Sequence, residues 1–307
     1  MFAGHGIGVD WSAVSHAGLV RPLSTGVALN VQRTALDPSS DPVDLGRIAD
    51  GIRLRAVRMV ARHGFGYLGQ ALSSAELFAA LYGAAVRYGT DRIVVSPGHY
   101  VIAAFAAAAE MGHADDALLA QYGRDGSAVE AIGTERTPLL DYTCGSLGQG
   151  LSAAVGFAVA DRILGHGDTR TFAVISDGEV QEGQVWEAAM FAGHHHLDRI
   201  TVLLDANNSQ VDGPVDEITT IEPLADKWTA FGWDAFDVDG HDVAAIQSAL
   251  GQSIEAERPQ VVICRTSTRH GLACLPLDAD GHFIKLDPNL AAAAIDELEG
   301  RLATDGQ

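Results

Sequence analysis

The stretch that decides the fold is FAVISDGEVQEGQVWEAAMFAGHHHLDRITVLLDANNSQVDG, residues 172–213. Two apolar, β-branched runs, 172–176 and 200–205, flank a helical pattern over 184–195. A strand, a helix and a second strand within this length form a βαβ unit, whose two strands are parallel. Strands that are apolar along almost their whole length are buried on both faces. The stretch therefore predicts a parallel sheet flanked by helices on both faces.

The rest of the chain continues this alternation of strands and helices. Three more apolar runs predict strands, at 93–96, 235–239 and 261–265. Further helices are predicted at 45–63, 74–87, 100–111, 147–164, 223–231, 243–255 and 289–302. Glycine and proline interrupt any period before residue 45. We therefore predict an α/β fold with an irregular N-terminal extension over residues 1–45 and a single domain over residues 46–307.

Composition narrows the classes of partner. The 307 residues are 47% hydrophobic, enough for a sizeable core, and the formal net charge is −20. A surface with this much negative charge repels nucleic-acid backbones and anionic lipids. We therefore expect neither nucleic acid nor a membrane as a partner. Three cysteines without CxxC spacing predict no disulfide framework. Without a signal-peptide pattern or an apolar run of about 20 residues, we expect a cytoplasmic protein.

The first predicted helix, 45–63, alternates apolar residues with four arginines, Arg47, Arg53, Arg55 and Arg58. This pattern is typical of an amphipathic helix with a basic face. Arginines in such a pattern either lie on a solvated face or bind a phosphate. We interpret them as a solvated face.

Polar side chains follow the two strands of the opening stretch. Asp177 ends the first strand, and Asn207 follows the second, thirty residues later. Because parallel strands end at one edge of the sheet, we expect these two side chains to lie side by side. A carboxylate and an amide oxygen suit Mg²⁺, which completes its coordination with water and substrate phosphates. The alternative is that Asp177 caps the next helix and Asn207 closes a turn.

A glycine-rich loop precedes another helix. Residues 144–152 read CGSLGQGLS, which is neither a GxGxxG nor a Walker A pattern. Glycines at a helix N-terminus allow backbone N–H groups to approach a phosphate. Together with the metal pair, the loop predicts a site for a diphosphate.

These motifs resemble one known family. Residues 176–213 look like the thiamine-diphosphate motif of transketolases, which runs from a GDG through about thirty residues to an asparagine, and residues 145–152 resemble their diphosphate loop. Residues 222–233 and 239–242 resemble the segment that follows, and the resemblance covers roughly residues 46–290. It implies the thiamine-diphosphate-binding fold (PP domain), with thiamine diphosphate and Mg²⁺ as cofactors.

The resemblance also implies residue roles. Asp177, Asn207 and the backbone carbonyl of Ser209 would bind Mg²⁺, and Gly178 would lie against the diphosphate. The other implied cofactor-binding residues are His99, Gly145, Ser146, Leu147, Gly148 and Glu179.

Further roles concern the reaction itself. His99, in the segment SPGH, matches a histidine that contacts the cofactor phosphates, although a helix cap or a core histidine is the alternative. Glu182 and Glu187 match carboxylates that line a passage between paired active sites, and they are equally compatible with a solvated face.

The chain departs from the family where substrate binds. Tyr67 stands where transketolases carry a substrate-contacting histidine, and residues 131–138 lack a second expected histidine. A tyrosine hydroxyl donates a hydrogen bond but does not shuttle protons near neutral pH as an imidazole does. His282 is a candidate for a replacement imidazole. An ordinary pentose-phosphate substrate is therefore in doubt.

The resemblance implies a partner chain. In transketolases the glutamate that activates the cofactor's aminopyrimidine ring belongs to a second domain. We expect a separate C-terminal subunit with a pyrimidine-binding domain, in an α2β2 assembly. The pair would transfer a two-carbon ketol unit from a ketose-type donor to a small-molecule acceptor. Two alternatives are a component that decarboxylates a 2-oxo acid, and a regulatory subunit that retains the fold without catalysis.

Overall fold

A computed structural model describes residues 44–252, 257–277, 279 and 281–304. The predicted extension over residues 1–45 lies outside this range except for Asp44 and Leu45. Leu45 is the first residue of a helix, and the Asp44 side chain caps it by accepting a hydrogen bond from the N–H of Arg47 at 3.0 Å. The last residues of the predicted helix 243–255 also lie outside the described range.

The described chain alternates strands and helices. The strands are β1 (Phe65–Gly66), β2 (Arg92–Pro97), β3 (Tyr142–Cys144), β4 (Thr171–Ser176), β5 (Ile200–Ala206), β6 (Asp234–Asp239), β7 (Gln260–Arg265) and β8 (Ile284–Lys285). The helices are α1 (Leu45–Ala61), α2 (Leu68–Ser73), α3 (Ala75–Ala80), α4 (Val101–Glu110), α5 (Asp116–Leu119), α6 (Gly150–Leu164), α7 (Gly183–His194), α8 (Val215–Ile218), α9 (Leu224–Ala230), α10 (Val243–Gln252) and α11 (Pro288–Thr304).

Six of the described strands form one parallel sheet in the order β3-β2-β4-β5-β7-β6, and β1 pairs with β8 in a small antiparallel ladder. The five strands predicted for the large sheet are all present. The short strands β1, β3 and β8 were not predicted, because two or three residues are too few to show a period.

Helices cover both faces of the large sheet. Along β4, Phe172 and Val174 pack into a core that includes α1, α3, α4, α10 and α11, whereas Ala173 and Ile175 pack into a second core with α6, α7 and α9. The alternation follows from the strand itself, since successive side chains point to opposite faces. The predicted α/β class with a parallel sheet between two helical layers is confirmed. None of the described helices combines the length and the apolar character needed to cross a membrane.

The arginines of α1 were interpreted from the sequence as a solvated face, and the structure corrects this interpretation for one of them. Arg53 is only 2% exposed, and its guanidinium donates to both carboxylate oxygens of Glu76 at 2.6 Å. Arg58, in contrast, pairs with Glu299 at the surface. The solvated-face interpretation is therefore wrong for Arg53, since helix α11 and helix α3 both pack on α1 and bury part of its polar side.

Candidate cofactor-binding site

The ends of β4 and β5 bring the predicted metal ligands together. Ser176 is paired with Asp205 in the parallel register, so Asp177 is the first residue beyond the edge of β4. The Asp177 carboxylate accepts a hydrogen bond from the N–H of Asn208 at 2.5 Å and from its neighbour Gly178 at 2.8 Å. Asp177 and the turn that contains Asn207 are thus adjacent at the carboxyl edge, as the βαβ spacing predicted.

The Asp177 carboxyl is buried without a cationic partner. It is 3% exposed, and no lysine or arginine among the described residues forms an ion pair with it. Burial, together with the nearby charge of Asp205, raises the pKa of Asp177 to about 7. Because a buried carboxylate is stabilised as an anion by hydrogen bonds or by a nearby positive charge, and Asp177 has only two backbone donors, this position suits a metal cation.

Asn207 is oriented by its hydrogen bonds. Its amide nitrogen donates to the hydroxyls of Tyr100 (3.0 Å) and Ser73 (3.3 Å) and to the carboxylate of Asp205 (3.0 Å). The amide oxygen is consequently turned the other way, where it accepts from the N–H of Ser209 at 2.9 Å and keeps a second lone pair. The amide therefore offers the atom that Mg²⁺ prefers.

Asp205 is the centre of this network, and the sequence did not assign it a role. Fully buried, it accepts from Ser73 at 2.5 Å, from Tyr100 at 2.8 Å, from Asn207 and from Thr266. Burial raises its pKa, while these four donors act in the opposite direction and stabilise the carboxylate. The feature of the sequence that could have indicated a role for Asp205 is its position at the end of an apolar strand, two residues before Asn207.

A buried glutamate accepts a hydrogen bond from the backbone of the glycine-rich loop. Glu179 is fully buried, and its carboxylate accepts from the N–H of Gly148 at 2.7 Å and from the hydroxyl of Ser96. Burial raises the pKa of Glu179 to about 7 against these hydrogen bonds. The carboxylate thus binds the loop itself and keeps Gly148 in place.

Gly148 needs to be glycine for two reasons. Its φ of +85° lies in the left-handed region, and a Cβ there would approach the Cβ of Glu182 to 2.9 Å. The loop is also tied to β2, because the N–H of Gly150 donates to the Ser96 hydroxyl at 3.0 Å. Helix α6 begins at Gly150, three residues later than predicted, so residues 145–149 form the loop that lies before the helix.

Three aromatic side chains meet in front of the loop. The ring of Tyr67 lies 5.3 Å from that of His99 and 5.8 Å from that of His282, and the two imidazoles are 5.2 Å apart. Burial and the neighbouring His282 lower the pKa of His99 to about 3, so this imidazole is neutral near pH 7. The structure therefore brings His282 next to Tyr67, 215 positions earlier in the chain.

These groups line one cleft of about 280 Å³. Its lining includes seven of the predicted residues: Tyr67, His99, Gly145, Leu147, Gly178, Ser209 and His282. Ser146 is exposed in the loop, and Glu182 and Glu187 are exposed at the start of α7. The roles of all the predicted site residues stay predictions.

Fold and site together define the class: an α/β protein whose parallel sheet presents a carboxylate and an amide oxygen beside a glycine-rich loop, an arrangement that suits a metal-bound diphosphate. Residues 45–295 match the family described as "Transketolase, thiamine diphosphate binding domain". The chain belongs to the transketolase family, whose members are thiamine-diphosphate-dependent transferases.

Two relatives are similar over nearly their whole length. The 6-deoxy-6-sulfo-D-fructose transketolase subunit SqwG of a Clostridium species is 38% identical, with 85% of this chain aligned to 98% of that protein. A transketolase family protein of Sinorhizobium fredii is 37% identical, over 82% of this chain and 94% of its own length.

Solved structures agree with the fold. The transketolase of Pichia stipitis superposes with a TM-score of 0.74 over 85% of this chain at 24% identity. The superposed region makes up 41% of the Pichia chain, so this chain spans less than half of that enzyme.

Proposed function

We propose that this chain binds thiamine diphosphate through Mg²⁺ and forms, with a C-terminal partner subunit, a transketolase-like enzyme. The observation behind the proposal is the carboxyl edge of β4 and β5. There Asp177 and the oriented amide of Asn207 adjoin Gly178 and Ser209, which line one cleft together with Gly145 and Leu147 of the glycine-rich loop. The enzyme would transfer a two-carbon ketol unit from a ketose-type donor to an acceptor.

The donor set fits the metal. Asp177, the amide oxygen of Asn207 and the carbonyl of Ser209 would hold Mg²⁺, which prefers such hard oxygen ligands. Gly178 and the loop residues Gly145 and Leu147, which line the cleft, would face the diphosphate. When bound, thiamine diphosphate would supply the carbon nucleophile that takes up and releases the two-carbon unit. This chain would contribute binding, orientation and exclusion of water.

A partner subunit is part of the proposal. The Clostridium relative, which this chain covers to 98%, is itself named a transketolase subunit. We propose an α2β2 assembly in which the partner provides the pyrimidine-binding domain and its activating glutamate. Glu182 and Glu187 would line the passage between paired sites. A cytoplasmic location and the absence of nucleic-acid and membrane partners complete the proposal.

The substrate is proposed to be a ketose other than the usual pentose phosphates. By resemblance Tyr67 stands where transketolases carry a histidine, and the ring of His282 lies 5.8 Å from it. The name of the Clostridium relative specifies a sulfonated ketose. We therefore propose a ketose with an anionic end group, either a phosphate or a sulfonate.

Calorimetry tests cofactor binding. Thiamine diphosphate is titrated with and without Mg²⁺ into the chain alone and into the complex with its partner. Binding that requires Mg²⁺ is expected, and its complete absence from both preparations would contradict the proposal. Asp177→Ala should abolish Mg²⁺-dependent binding. Asp212→Ala is the matched control, since Asp212 is exposed in the turn after β5 that also contains Asn207 and Ser209.

A second assay tests the reaction. The complex is offered xylulose 5-phosphate, fructose 6-phosphate, 6-deoxy-6-sulfofructose and pyruvate, each with an aldehyde acceptor. Ketol transfer from one of the ketoses is expected. Release of carbon dioxide from pyruvate without transfer would assign the chain to the 2-oxo acid decarboxylating class instead.

A further inference from the structure

His241 lies in a turn between β6 and α10 that the candidate site does not use. The turn spans residues 239–242, and none of these four residues lines the cleft. The N–H of His241 donates to the carboxylate of Asp239 at 2.9 Å, which fixes the backbone of the turn. The His241 side chain is partly buried, and each of its two ring nitrogens has a hydrogen-bond partner.

The partners of the two ring nitrogens determine which nitrogen carries the proton. The backbone N–H of Ser267 lies 2.9 Å from Nε2, and because an N–H group only donates, Nε2 must accept. Nδ1 lies 3.3 Å from a carboxylate oxygen of Glu76. Arg53 donates to both oxygens of that carboxylate, which is therefore ionised and only accepts. His241 is thus a neutral imidazole with its proton on Nδ1.

The turn approaches the end of β7 closely. The N–H of Gly240 donates to the carbonyl of Arg265 at 2.9 Å. A Cβ added to Gly240 would lie 2.4 Å from the methyl group of Thr266 and 2.8 Å from the Cβ of Cys264, so no side chain fits there. The glycine therefore allows the turn to bring His241 up to the segment that follows β7.

Ser267 directly follows a threonine that belongs to the network around the candidate metal ligands. The Thr266 hydroxyl donates to the buried carboxylate of Asp205, which orients the amide of Asn207. The N–H of Thr266 also donates to the carbonyl of Ala206 at 3.3 Å. A hydrogen bond that holds the backbone of Ser267 therefore restricts Thr266 as well.

On its other side Ser267 precedes a threonine that packs against the cleft wall. Thr268 is buried, and a Cβ added to Gly281 would lie 2.4 Å from the Thr268 hydroxyl. Gly281 is followed by His282, which lines the cleft. Residues 266–268 thus contact the network of Asp205 at one end and the cleft wall at the other.

We propose that His241 is a positioning residue of the candidate site, which accepts the N–H of Ser267 and thereby holds residues 266–268 against Asp205 and Gly281. The ionised Glu76 keeps the proton of the imidazole on Nδ1, so that Nε2 accepts. Any effect of His241 on cofactor binding passes through residues 266–268, so this part of the inference rests on the proposed function.

A metal ion is the other explanation for these side chains. Glu76, His241 and His270 each offer one ligand atom, and these atoms lie within 4.8 Å of one another. The two imidazoles, however, are stacked with their centres 3.6 Å apart and their planes inclined by only 9°. The lone pairs of parallel rings lie in separate planes and do not converge on one ion. Arg53 also already balances the charge of Glu76. The geometry therefore favours the hydrogen-bonded arrangement.

Nuclear magnetic resonance of the full chain tests the position of the proton. Histidine labelled with ¹⁵N is incorporated, and the His241 signals are those that disappear in His241→Gln. Two-bond correlations near pH 7.5 distinguish a proton on Nδ1 from one on Nε2. We expect the Nδ1-protonated pattern, with and without added Zn²⁺. A proton on Nε2 would overturn the proposal, and loss of the Nδ1 proton on adding Zn²⁺ would assign a metal site instead.

A pair of substitutions separates the hydrogen bond from side-chain packing. Glutamine places its amide oxygen near the position of Nε2, where it still accepts from Ser267, whereas asparagine is too short. Amide hydrogen exchange at Ser267 should therefore stay slow in His241→Gln and become about tenfold faster in His241→Asn. The control is His270→Asn, which removes the stacked ring and neither hydrogen bond of the His241 ring. Unchanged exchange in His241→Asn, or equally fast exchange in both His241 variants, would overturn the proposal.

Calorimetry with the assembled complex connects residues 266–268 to cofactor binding. The Mg²⁺-dependent affinity for thiamine diphosphate should fall about five- to tenfold in His241→Asn, the effect of one lost hydrogen bond, and remain near the wild-type value in His241→Gln and His270→Asn. Equal affinity in His241→Asn and wild type would refute the positioning role. If the unmodified complex binds no cofactor, the proposed function falls, and the exchange rates at Ser267 alone decide whether His241 holds the segment.

Discussion

The buried carboxylate of Asp205 accepts a hydrogen bond from the side-chain amide of Asn207 at 3.0 Å, two residues further along the same strand end. An ionised carboxylate accepts but does not donate, so it selects the NH₂ side of the amide. The amide oxygen of Asn207 is left on the side of Ser209, a residue that lines the cleft. Asp205 therefore decides which atom Asn207 presents to a metal.

Asp205→Asn should weaken Mg²⁺-dependent cofactor binding about 10- to 100-fold, the usual effect of losing a group that orients a metal ligand. The substituted side chain would place an NH₂ group, which is a donor, opposite hydroxyls that now donate to the Asp205 carboxylate. Calorimetry with thiamine diphosphate and Mg²⁺ measures the change. Asp237→Asn, at an exposed position of β6, is the control. Unchanged affinity in Asp205→Asn would show that Asn207 is oriented by other groups.

Gly148→Ala should lower cofactor affinity at least about tenfold and destabilise the fold by about 1–2 kcal/mol, because an alanine is strained at φ +85° and would crowd Glu182. Thermal unfolding and calorimetry give the two values. Gly156→Ala, in the exposed interior of α6 with open space around its Cα, should instead be neutral or stabilising. Equal behaviour of the two variants would count against a specific role for the loop.

Arg53→Met should cost about 3–5 kcal/mol of unfolding free energy, since it leaves Glu76 buried without its main counter-charge. Burial alone would raise the pKa of Glu76, but His241 and Arg53 outweigh it and hold that pKa below its usual value. Arg58→Met, which breaks the exposed pair with Glu299, should cost at most about 1 kcal/mol. Urea unfolding of both variants measures the two losses of unfolding free energy. A larger loss in Arg53→Met is expected because that ion pair is buried.

His99 should make stability depend on pH. Its pKa is lowered to about 3 in the folded chain by burial and by His282, whereas an unfolded histidine titrates near 6.5. As pH falls below 6.5, the unfolded state therefore binds a proton that the folded state does not, and stability is lost.

His99→Gln lacks this titration. Relative to the variant, the wild type should lose on the order of 2 kcal/mol between about pH 7.5 and about pH 5. Urea unfolding of both proteins at the two pH values measures the difference. A parallel pH dependence in both proteins would mean that His99 is accessible enough to ionise in the folded state.

Tyr67→Phe should lower kcat/KM of the assembled enzyme for its ketose donor about fivefold if the hydroxyl donates one hydrogen bond to the substrate. The ring contacts with His99 and Phe283 would persist, so unfolding should change little. Tyr88→Phe, which removes a hydroxyl bonded to the Leu139 carbonyl, is the control. No kinetic effect of Tyr67→Phe would assign the residue a packing role alone.

The sequence by itself determined the sheet and the adjacent positions of Asp177 and Asn207. Apolar runs of strand length and the thirty-residue interval between Asp177 and Asn207 predict a βαβ unit, and parallel register then places both side chains at one edge. This inference works because it depends on local periodicity and on the direction of neighbouring strands, which are properties of short segments.

Only the tertiary structure decided which distant side chains contact one another. The hydrogen bonds of Ser73, Tyr100 and Thr266 to Asp205, the contact of Gln70 with His282 and the burial of Arg53 against Glu76 join residues far apart in the chain. A local pattern gives the type of a side chain, but its hydrogen bonds depend on which distant segment packs against it. For the same reason the helical pattern predicts a surface position for Arg53, although the side chain is buried. Glu76 compensates its charge, and the sequence pattern does not show that this glutamate packs against Arg53.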